Sequence, residues 1–378
     1  MPENAFAKAK KLNELFKDER ALYAEFQPES LPCRENEINE VVFSLQPVAK
    51  AQKPRNMFLY GAPGTGKTAV VKHVLKQLQE FTGRAKGILI NCFEFNSRHA
   101  VLSEIALRLG SAIPRRGVSV DETFSSVIEE LLSSKAIPII VLDEADQLLA
   151  QKEGSTLLYE LLRLPSEKGI LLGAIIVSNN SDLIAGLEER VRSSLNAQQL
   201  PFERYSPQQL KQILSERCET AFLQGAVEKE AIALAAAHAA KLGGDARIAI
   251  DSLLQAGRLA EKNNSAKLKP EHLREIFDSV DRVSLEKRIA YLNESELSVM
   301  RAIAEFGSCE ITSGALYEKY SKKNSNPLTL RRFRDIVTKL GDMRLISLQE
   351  SSVEGKGKTR KITLLVSRDA VLRSNARL

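Results

Sequence analysis

The residues with the clearest chemistry form a glycine-rich run near the start of the chain. The run follows the apolar residues 57–60, and it contains Gly61, Ala62, Pro63, Gly64, Thr65, Gly66, Lys67 and Thr68. Backbone N–H groups of such a loop close around a β-phosphate, while the lysine adds a cation and the threonine hydroxyl can ligate Mg²⁺. A glycine-rich turn without a ligand is the alternative. The apolar run before it and the helical pattern after it favour a site for ATP or ADP with Mg²⁺.

Two later apolar runs end in polar residues that suit the same chemistry. Residues 137–142 lead into Asp143 and Glu144, and residues 171–177 precede Asn179 by one position. In phosphoryl transfer such an Asp holds the metal and the Glu orients and deprotonates the attacking water. Asn179 would lie at the same edge of a parallel sheet, within reach of the γ-phosphate or the water. The acidic pair could instead cap a helix, and the asparagine could be a turn residue.

The apolar runs are the strands that must position these residues. Short buried strands that alternate with amphipathic helices predict an open α/β sheet with the ligand at the strand carboxyl ends. Residues 206–280 show helical periods almost throughout, with Gly243 and Gly244 between two helices and Asp245 as the N-cap of the next. We therefore expect an α/β P-loop domain followed by an all-α lid domain.

The C-terminal part has the pattern of a winged helix-turn-helix. Helical periods cover residues 294–306, 313–320 and 327–340, and two strands follow at 345–348 and 362–366. The third helix would enter the major groove and the segment between the strands would contact phosphates or the minor groove. The predicted DNA-binding residues are Arg331, Arg332 and Arg334 on the helix and Lys356, Lys358 and Arg360 in the wing. A winged helix that contacts a protein is the alternative.

The net charge of +6 is confined to the last quarter of the chain. Residues 285–378 hold 18 of the 54 Lys and Arg residues but only 11 of the 48 Asp and Glu residues. A charge surplus in one domain indicates a surface for a polyanion, although a solvated face is also consistent with it.

Composition limits the class of protein. A chain of 378 residues, 43% hydrophobic and 27% charged, is typical of two to three globular domains. The cysteines, at 33, 92, 218 and 309, lack the spacing of a zinc site or a disulfide framework. The sequence has no signal-peptide pattern and no apolar run of membrane-spanning length. We expect a cytoplasmic protein without a membrane partner.

The order of these motifs resembles that of AAA+ ATPases. The phosphate loop, the Asp143-Glu144 pair and Asn179 are followed by Arg190-Val191-Arg192-Ser193-Ser194-Leu195 and by Gly244-Asp245-Ala246-Arg247. Together with the run Leu31-Pro32-Cys33-Arg34-Glu35-Asn36-Glu37-Ile38, they make the chain similar to the archaeal origin-recognition and cell-division-cycle initiator proteins.

The resemblance implies further site residues. Arg247 would be a second sensor that contacts the γ-phosphate from the lid, and Arg190, or failing it Arg192, would act on the nucleotide of a neighbouring subunit. A guanidinium suits the charge of a transferring phosphoryl group. Arg190 could instead pair with Glu188 or Glu189. Arg115 and Arg116 fall where initiators of this family carry a helical motif that touches DNA, although the pair could simply be an exposed turn.

The resemblance also implies a function and a domain plan. The chain would be an ATP-binding and ATP-hydrolysing replication initiator with slow, regulatory turnover, associated with the nucleoid. Its partners would be double-stranded origin DNA, the replicative helicase and other initiator molecules on DNA. An AAA+ switch or transcription regulator whose winged helix binds a protein is the alternative; a clamp-loader subunit would instead have a C-terminal helical collar. The expected domains are an N-terminal extension (1–30), the nucleotide-binding domain (31–204), the lid (205–282) and the winged helix (283–378).

Overall fold

The computed structural model describes residues 14–112, 114, 117–306, 311–324, 327–343, 345–353 and 357–373. Within these ranges only the backbone is described at 164, 280–286, 311, 349–353, 357–360 and 369. The chain divides into two compact units, of which the first ends at Leu273 and the second begins at Arg274. No helix in the described ranges is both long enough and apolar enough to cross a bilayer.

Parallel strands form the centre of the first unit. They are β1 (Met57–Gly61), β2 (Ala85–Asn91), β3 (Ile137–Asp143), β4 (Gly173–Ser178) and β5 (Gln198–Phe202), in the spatial order β2-β3-β4-β1-β5. Because all pairs are parallel, the carboxyl ends of the strands meet at one edge of the sheet. The predicted open α/β sheet is confirmed, and its carboxyl edge receives the phosphate loop and the acidic pair.

Helices cover both faces of this sheet. They are α1 (Glu35–Leu45), α2 (Lys67–Phe81), α3 (Arg98–Leu109), α4 (Val120–Ser133), α5 (Asp146–Leu149), α6 (Lys152–Glu167) and α7 (Glu189–Leu195). One apolar core joins Phe58, Ile90 and Leu142 to α3, α4 and α6. A second core joins Leu59 and Val141 to α1 and α2. Since side chains of successive strand residues point to opposite faces, each strand supplies both cores and fixes the loops at its end.

Four helices follow the sheet in the chain. They are α8 (Pro207–Ala221), α9 (Lys229–Lys241), α10 (Ala246–Lys262) and α11 (Pro270–Ile289). Ser206 begins α8 with a capping box, in which its hydroxyl accepts from Gln209 N and the Gln209 side chain accepts from Ser206 N. Asp245 caps α10 as predicted, since its carboxylate accepts from the backbone N–H of Arg247. Helices α8, α9 and α10 and the start of α11 are the predicted helical lid, and α10 carries Arg247 in its first turn; the rest of α11 belongs to the second unit.

Residues 14–32, which we call the N-terminal strap, run across the lid helices. The Phe16 ring stacks on Phe222 at 4.6 Å between ring centres, and Glu261 accepts a hydrogen bond of 2.7 Å from Leu15 N. Gly257 makes room for the strap, because a Cβ at this position would lie 2.4 Å from Phe16 Cζ. The strap is thereby packed against α8 and α10.

The second unit has the winged-helix topology. Its elements are α12 (Glu294–Phe306), β6 (Ile311–Thr312), α13 (Ser313–Lys323), α14 (Leu330–Asp342), β7 (Ile346–Val353), β8 (Gly357–Leu364) and α15 (Arg368–Arg373). The strands form an antiparallel sheet in the order β6-β8-β7. Its apolar core includes Met300, Phe333 and Leu340. The predicted winged helix-turn-helix is confirmed.

Candidate functional site

The phosphate loop runs from the end of β1 to the start of α2, and Asp245 and Tyr205 pack closely against it. Gly64 and Gly66 have φ of 72° and 92°, a region that residues with a side chain rarely adopt. A Cβ on Gly64 would lie 1.7 Å from Asp245 Oδ1, and one on Gly66 would lie 2.7 Å from the Tyr205 hydroxyl. The glycines therefore serve both the curvature of the loop and its close contact with the lid.

Lys67 is buried at the base of the loop, with 7% of its surface exposed. Its Nζ donates to Gly61 O at 2.8 Å, to Ala62 O at 3.0 Å and to Asn179 Oδ1 at 2.9 Å. Burial lowers the pKa of this ammonium, and the nearby Glu144 carboxylate opposes that shift. Neutral oxygen acceptors hold the cation, and a phosphate oxygen would be a stronger acceptor than any of them.

Thr68 and Asp143 come together as a set of hard oxygen donors. Thr68 Oγ1 donates to Asp143 Oδ2 at 2.9 Å, and the backbone N of Glu144 donates to Asp143 Oδ1 at 3.0 Å. Asp143 is 8% exposed; burial raises the pKa of its carboxyl, against the hydrogen bond from Thr68. A hydroxyl and a carboxylate beside a phosphate site are ligands that Mg²⁺ prefers, so the residues present fit this metal.

Glu144 lies beside this set in an uncommon backbone conformation. Its φ is 52°, in the left-handed region. Its Oε2 accepts a hydrogen bond of 2.7 Å from Asn179 Nδ2. Burial raises the pKa of the Glu144 carboxyl and the Asp143 charge raises it further, while Lys67 and Arg247 oppose the shift. The Asn179 amide thus bridges Lys67 and Glu144, which sequence reasoning placed at one sheet edge.

Asp146 orients this asparagine and is a residue that sequence reasoning missed. Its carboxylate accepts from Ser178 Oγ at 2.7 Å and from the backbone N of Asn179 at 3.2 Å. The carboxylate at the start of α5 thereby fixes the end of β4. The available signal was its position directly after the Asp143-Glu144-Ala145 run.

Arg247 enters the site from the lid, paired with its neighbour. Its Nη2 lies 2.7 Å from Asp245 Oδ2, and its Nε lies 3.1 Å from Asp245 Oδ1. The hydrogen bond with Asp245 raises the pKa of the Arg247 guanidinium. The side chain is 59% exposed. A partly exposed guanidinium with one anionic partner can exchange that partner for a phosphate.

A cavity of about 1080 Å³ unites these groups. Its walls include the loop from Pro63 to Thr68, together with Glu144, Asn179 and Arg247. The N-terminal strap, helices α8 and α10, Tyr205 and the first turns of α2 also contribute to the wall. Sequence reasoning missed the strap as part of the site, because residues 1–30 carry no motif that identifies them as cavity lining.

Arg190 lies on α7 and makes local contacts. Its Nε donates to Glu188 Oε2 at 2.7 Å, and its guanidinium lies 5.4 Å from the centre of the Tyr159 ring. Arg192 is exposed on the same short helix. Neither Arg190 nor Arg192 is among the described residues that line the cavity. The sequence analysis gave this pairing with Glu188 as the alternative to a role in a neighbouring subunit. The action of Arg190 on the nucleotide of a neighbouring molecule stays a prediction.

The predicted DNA-binding residues fall into described and undescribed groups. Arg331, Arg332 and Arg334 are exposed on α14, while Phe333 between them is buried in the core. Lys358 and Arg360 lie in the first half of β8, at residues where only the backbone is described. Arg115, Arg116 and Lys356 lie outside the described residues. The α14 arginines thus form an exposed basic face on the predicted recognition helix.

Three family models match successive parts of the chain. The models are an AAA ATPase domain at residues 30–174, a Cdc6 AAA+ ATPase-type lid domain at 211–277 and a CDC6 C-terminal winged helix domain at 296–374. The chain therefore carries an AAA+ ATPase domain, whose fold implies nucleotide binding.

Relatives extend over nearly the whole chain. The ORC1-type DNA replication protein 1 of Sulfurisphaera tokodaii is 33% identical over 95% of this chain and 92% of its own length. The protein of the same name from Aeropyrum pernix is 34% identical, over 95% of this chain and 94% of its own. The solved structure of the Aeropyrum pernix ORC1 protein in complex with DNA has a TM-score of 0.68 and 32% identity, covering 95% of this chain and 96% of that one.

The chain belongs to the family of archaeal ORC1-type DNA replication proteins. The predicted family is confirmed, and membership favours a replication initiator over the transcription regulator that the sequence left open.

Proposed function

We propose that this chain is a slow, ATP-regulated initiator that binds double-stranded origin DNA and helps recruit or load the replicative helicase. Its main support is the exposed face of Arg331, Arg332 and Arg334 on α14, in a chain 32% identical to a protein solved in complex with DNA. The proposed place of action is the nucleoid. The proposed domains are residues 31–204, 205–282 and 283–378, which the three family matches support.

For ATP hydrolysis, we propose that Thr68 and Asp143 hold Mg²⁺. The metal would neutralise charge on the β- and γ-phosphates. Lys67 would exchange its carbonyl acceptors for phosphate oxygens. Glu144 would accept a proton from the attacking water, and Asn179 would orient the Glu144 carboxylate through the hydrogen bond of 2.7 Å.

Two contacts support slow turnover. The Glu144 carboxylate is held by Asn179, and the Arg247 guanidinium is held by Asp245. Arg247 must leave Asp245 before it can contact a γ-phosphate, and Glu144 must accept a water in addition to the asparagine. We propose that neighbouring initiator molecules on DNA promote these changes, with Arg190 or Arg192 on the exposed side of α7 reaching the next molecule.

The test is to map the protein along the chromosome of its own cell and then to measure its binding to duplexes from the mapped sites. The proposal predicts a few discrete sites where replication begins, and tighter binding to those duplexes than to scrambled ones across a salt series. Salt must be varied because the phosphate contribution falls with ionic strength. Uniform occupancy, or equal binding to both duplexes at every salt concentration, would contradict it.

A further inference from the structure

Arg34 is a buried cation that the nucleotide site described so far does not use. It lies just before α1 and is 4% exposed. Its Nε donates to the carbonyl of Thr65 in the phosphate loop at 2.9 Å. Its Nη2 donates at 2.6 Å to the carbonyl of Glu203, in the segment that leads from β5 to α8. One guanidinium therefore holds both the phosphate loop and the hinge of the lid.

The remaining contacts of Arg34 require the shape of an arginine. Nη1 lies 2.5 Å from Glu37 Oε1, which balances the charge. The guanidinium lies 4.1 Å from the centre of the Tyr205 ring, and its Nε also donates to the Tyr205 hydroxyl at 3.1 Å. A planar guanidinium can stack on a ring while its N–H groups donate in fixed directions within its plane, whereas a lysine ammonium is a compact point charge with no plane to stack. The position is therefore specific for arginine.

Tyr205 connects the same loop to the start of α10. Its hydroxyl lies against Gly66, where a Cβ would be 2.7 Å from the oxygen. Its backbone lies against Gly244, where a Cβ would be 2.7 Å from Tyr205 O. Gly244 directly precedes Asp245, the N-cap of the helix that carries Arg247. The side chain of Tyr205 thus contacts the phosphate loop while its backbone contacts the base of the Arg247 helix.

We propose, on the basis of the ATPase function proposed above, that Arg34 and Tyr205 are positioning residues that couple the phosphate loop to the lid helix bearing Arg247. Neither residue belongs to the set that would hold phosphate or metal. A displacement of the loop or of the hinge breaks hydrogen bonds that Arg34 shares between them, so the two segments move together. Occupancy of the loop is thereby transmitted to the position of Arg247.

The test combines conservative variants in a cycle with Arg247. Tyr205→Phe removes only the hydroxyl, and Arg34→Lys keeps the charge but removes the fork. We expect each to lower the single-turnover rate of bound ATP by about tenfold, the value of a hydrogen bond to a charged group, with ATP affinity close to wild type. Once Arg247→Ala is present, adding Tyr205→Phe should lower the rate little further, because the hydroxyl acts through Arg247. Arg55→Lys, which alters a surface stack on Phe43, is the matched control and should match wild type.

Hydrogen exchange gives a second measurement that does not depend on turnover. Added ADP should protect the amides of residues 64–67 and of 205–210 in the wild type, but only those of 64–67 in Tyr205→Phe. Additive losses of rate in the cycle, or full protection of 205–210 in the variant, would overturn the coupling. A wild-type protein that binds no ATP would instead contradict the proposed function itself, so the two failures are distinguishable.

Discussion

The two units of the molecule use cationic side chains in opposite ways. In the first unit, Lys67 and Arg34 are buried, and each is held by acceptors from more than one part of the chain. In the second unit, Arg331, Arg332 and Arg334 stand exposed on α14, and in the described part of that unit their guanidinium groups have no ion-pair or hydrogen-bond partner. A buried cation must be paired within the protein because its desolvation is costly. An exposed cation remains available to an external polyanion.

This difference separates two kinds of effect. Substitution of a buried cation should change geometry and chemistry inside the first unit. Substitution of an exposed arginine should leave the fold intact and change only what the second unit binds.

The largest effect is expected at the nucleotide site. Glu144→Gln should keep ATP binding and lower single-turnover hydrolysis by about 10²–10⁴-fold, because the amide cannot accept the proton of the attacking water. Lys67→Ala should lower ATP affinity by at least about tenfold, since it removes a charge-assisted contact to phosphate. Equilibrium binding and single-turnover measurements on both variants check this. Glu153→Gln, an exposed carboxylate on α6, is the control. Equal loss of affinity in both variants would remove Glu144 from its proposed role.

An intermediate effect is expected on α14. When Arg331, Arg332 and Arg334 are each replaced by Ala, at least one variant should lose about 1–3 kcal/mol of discrimination between an origin duplex and a scrambled one. Lys322→Ala is the control, because its charge is already paired with Glu318 at 2.8 Å on the neighbouring helix α13. Binding isotherms on the two duplexes give the measurement. Unchanged preference in all three arginine variants would mean that this face contacts a protein.

The smallest effect is expected at Glu296, a buried carboxylate of the second unit. Burial favours a higher pKa for this group, but hydrogen bonds to its carboxylate from Lys339 Nζ and from the backbone N–H of Asn293 outweigh burial, and the pKa is lowered. A lowered pKa stabilises the fold above the ordinary value of about 4.3, and this stability is lost as the pH falls through the folded-state value.

Glu296→Gln should therefore destabilise α12 and α14 by about 1 kcal/mol at pH 7, a modest value because Lys339 is largely exposed. Hydrogen exchange of both helices in the full chain gives the measurement, and Glu318→Gln, an exposed carboxylate paired with Lys322, is the control. The difference between wild type and variant should shrink as the pH falls below the ordinary glutamate value of about 4.3 and vanish below the folded-state pKa of Glu296. A pH-independent difference would contradict this account.

Sequence reasoning predicted which residues lie together where those residues fall in short runs. The phosphate loop, Asp143 and Glu144 could be found because strand, turn and helix follow each other directly, and Asn179 because parallel strands end at one edge. The missed residues, Arg34, Asp146, Tyr205 and Asp245 among them, act through contacts between distant segments. Asp245 was recognised only as an N-cap, although its carboxylate also contacts Gly64 and holds Arg247. Hydrophobic periodicity along the sequence gives no information about contacts between segments that are far apart in the chain.

Strand β5 was missed for a different physical reason. It contains Pro201, which cannot donate a hydrogen bond and is therefore typical of an edge strand or of a turn. Among the described strands, β5 pairs with β1 alone and lies at the edge of the sheet, where a proline is tolerated. The sequence pattern could not distinguish an edge strand from a turn, because a proline fits a strand only where the side facing its nitrogen has no neighbouring strand.

The left-handed backbone conformation of Glu144 costs folding stability at a residue that we propose to be needed for ATP hydrolysis. A residue with a side chain costs roughly 1–2 kcal/mol in this conformation, a cost that glycine does not incur. A glycine here would relieve the backbone but remove the carboxylate proposed to activate water. Given the role we propose for Glu144, lineages that adapt to hotter habitats would have to gain stability elsewhere in the chain while they hydrolyse ATP. Under the same proposed role, a relative that has given up hydrolysis would be free of this conflict, and we expect a paralogue with glycine at this position not to hydrolyse ATP.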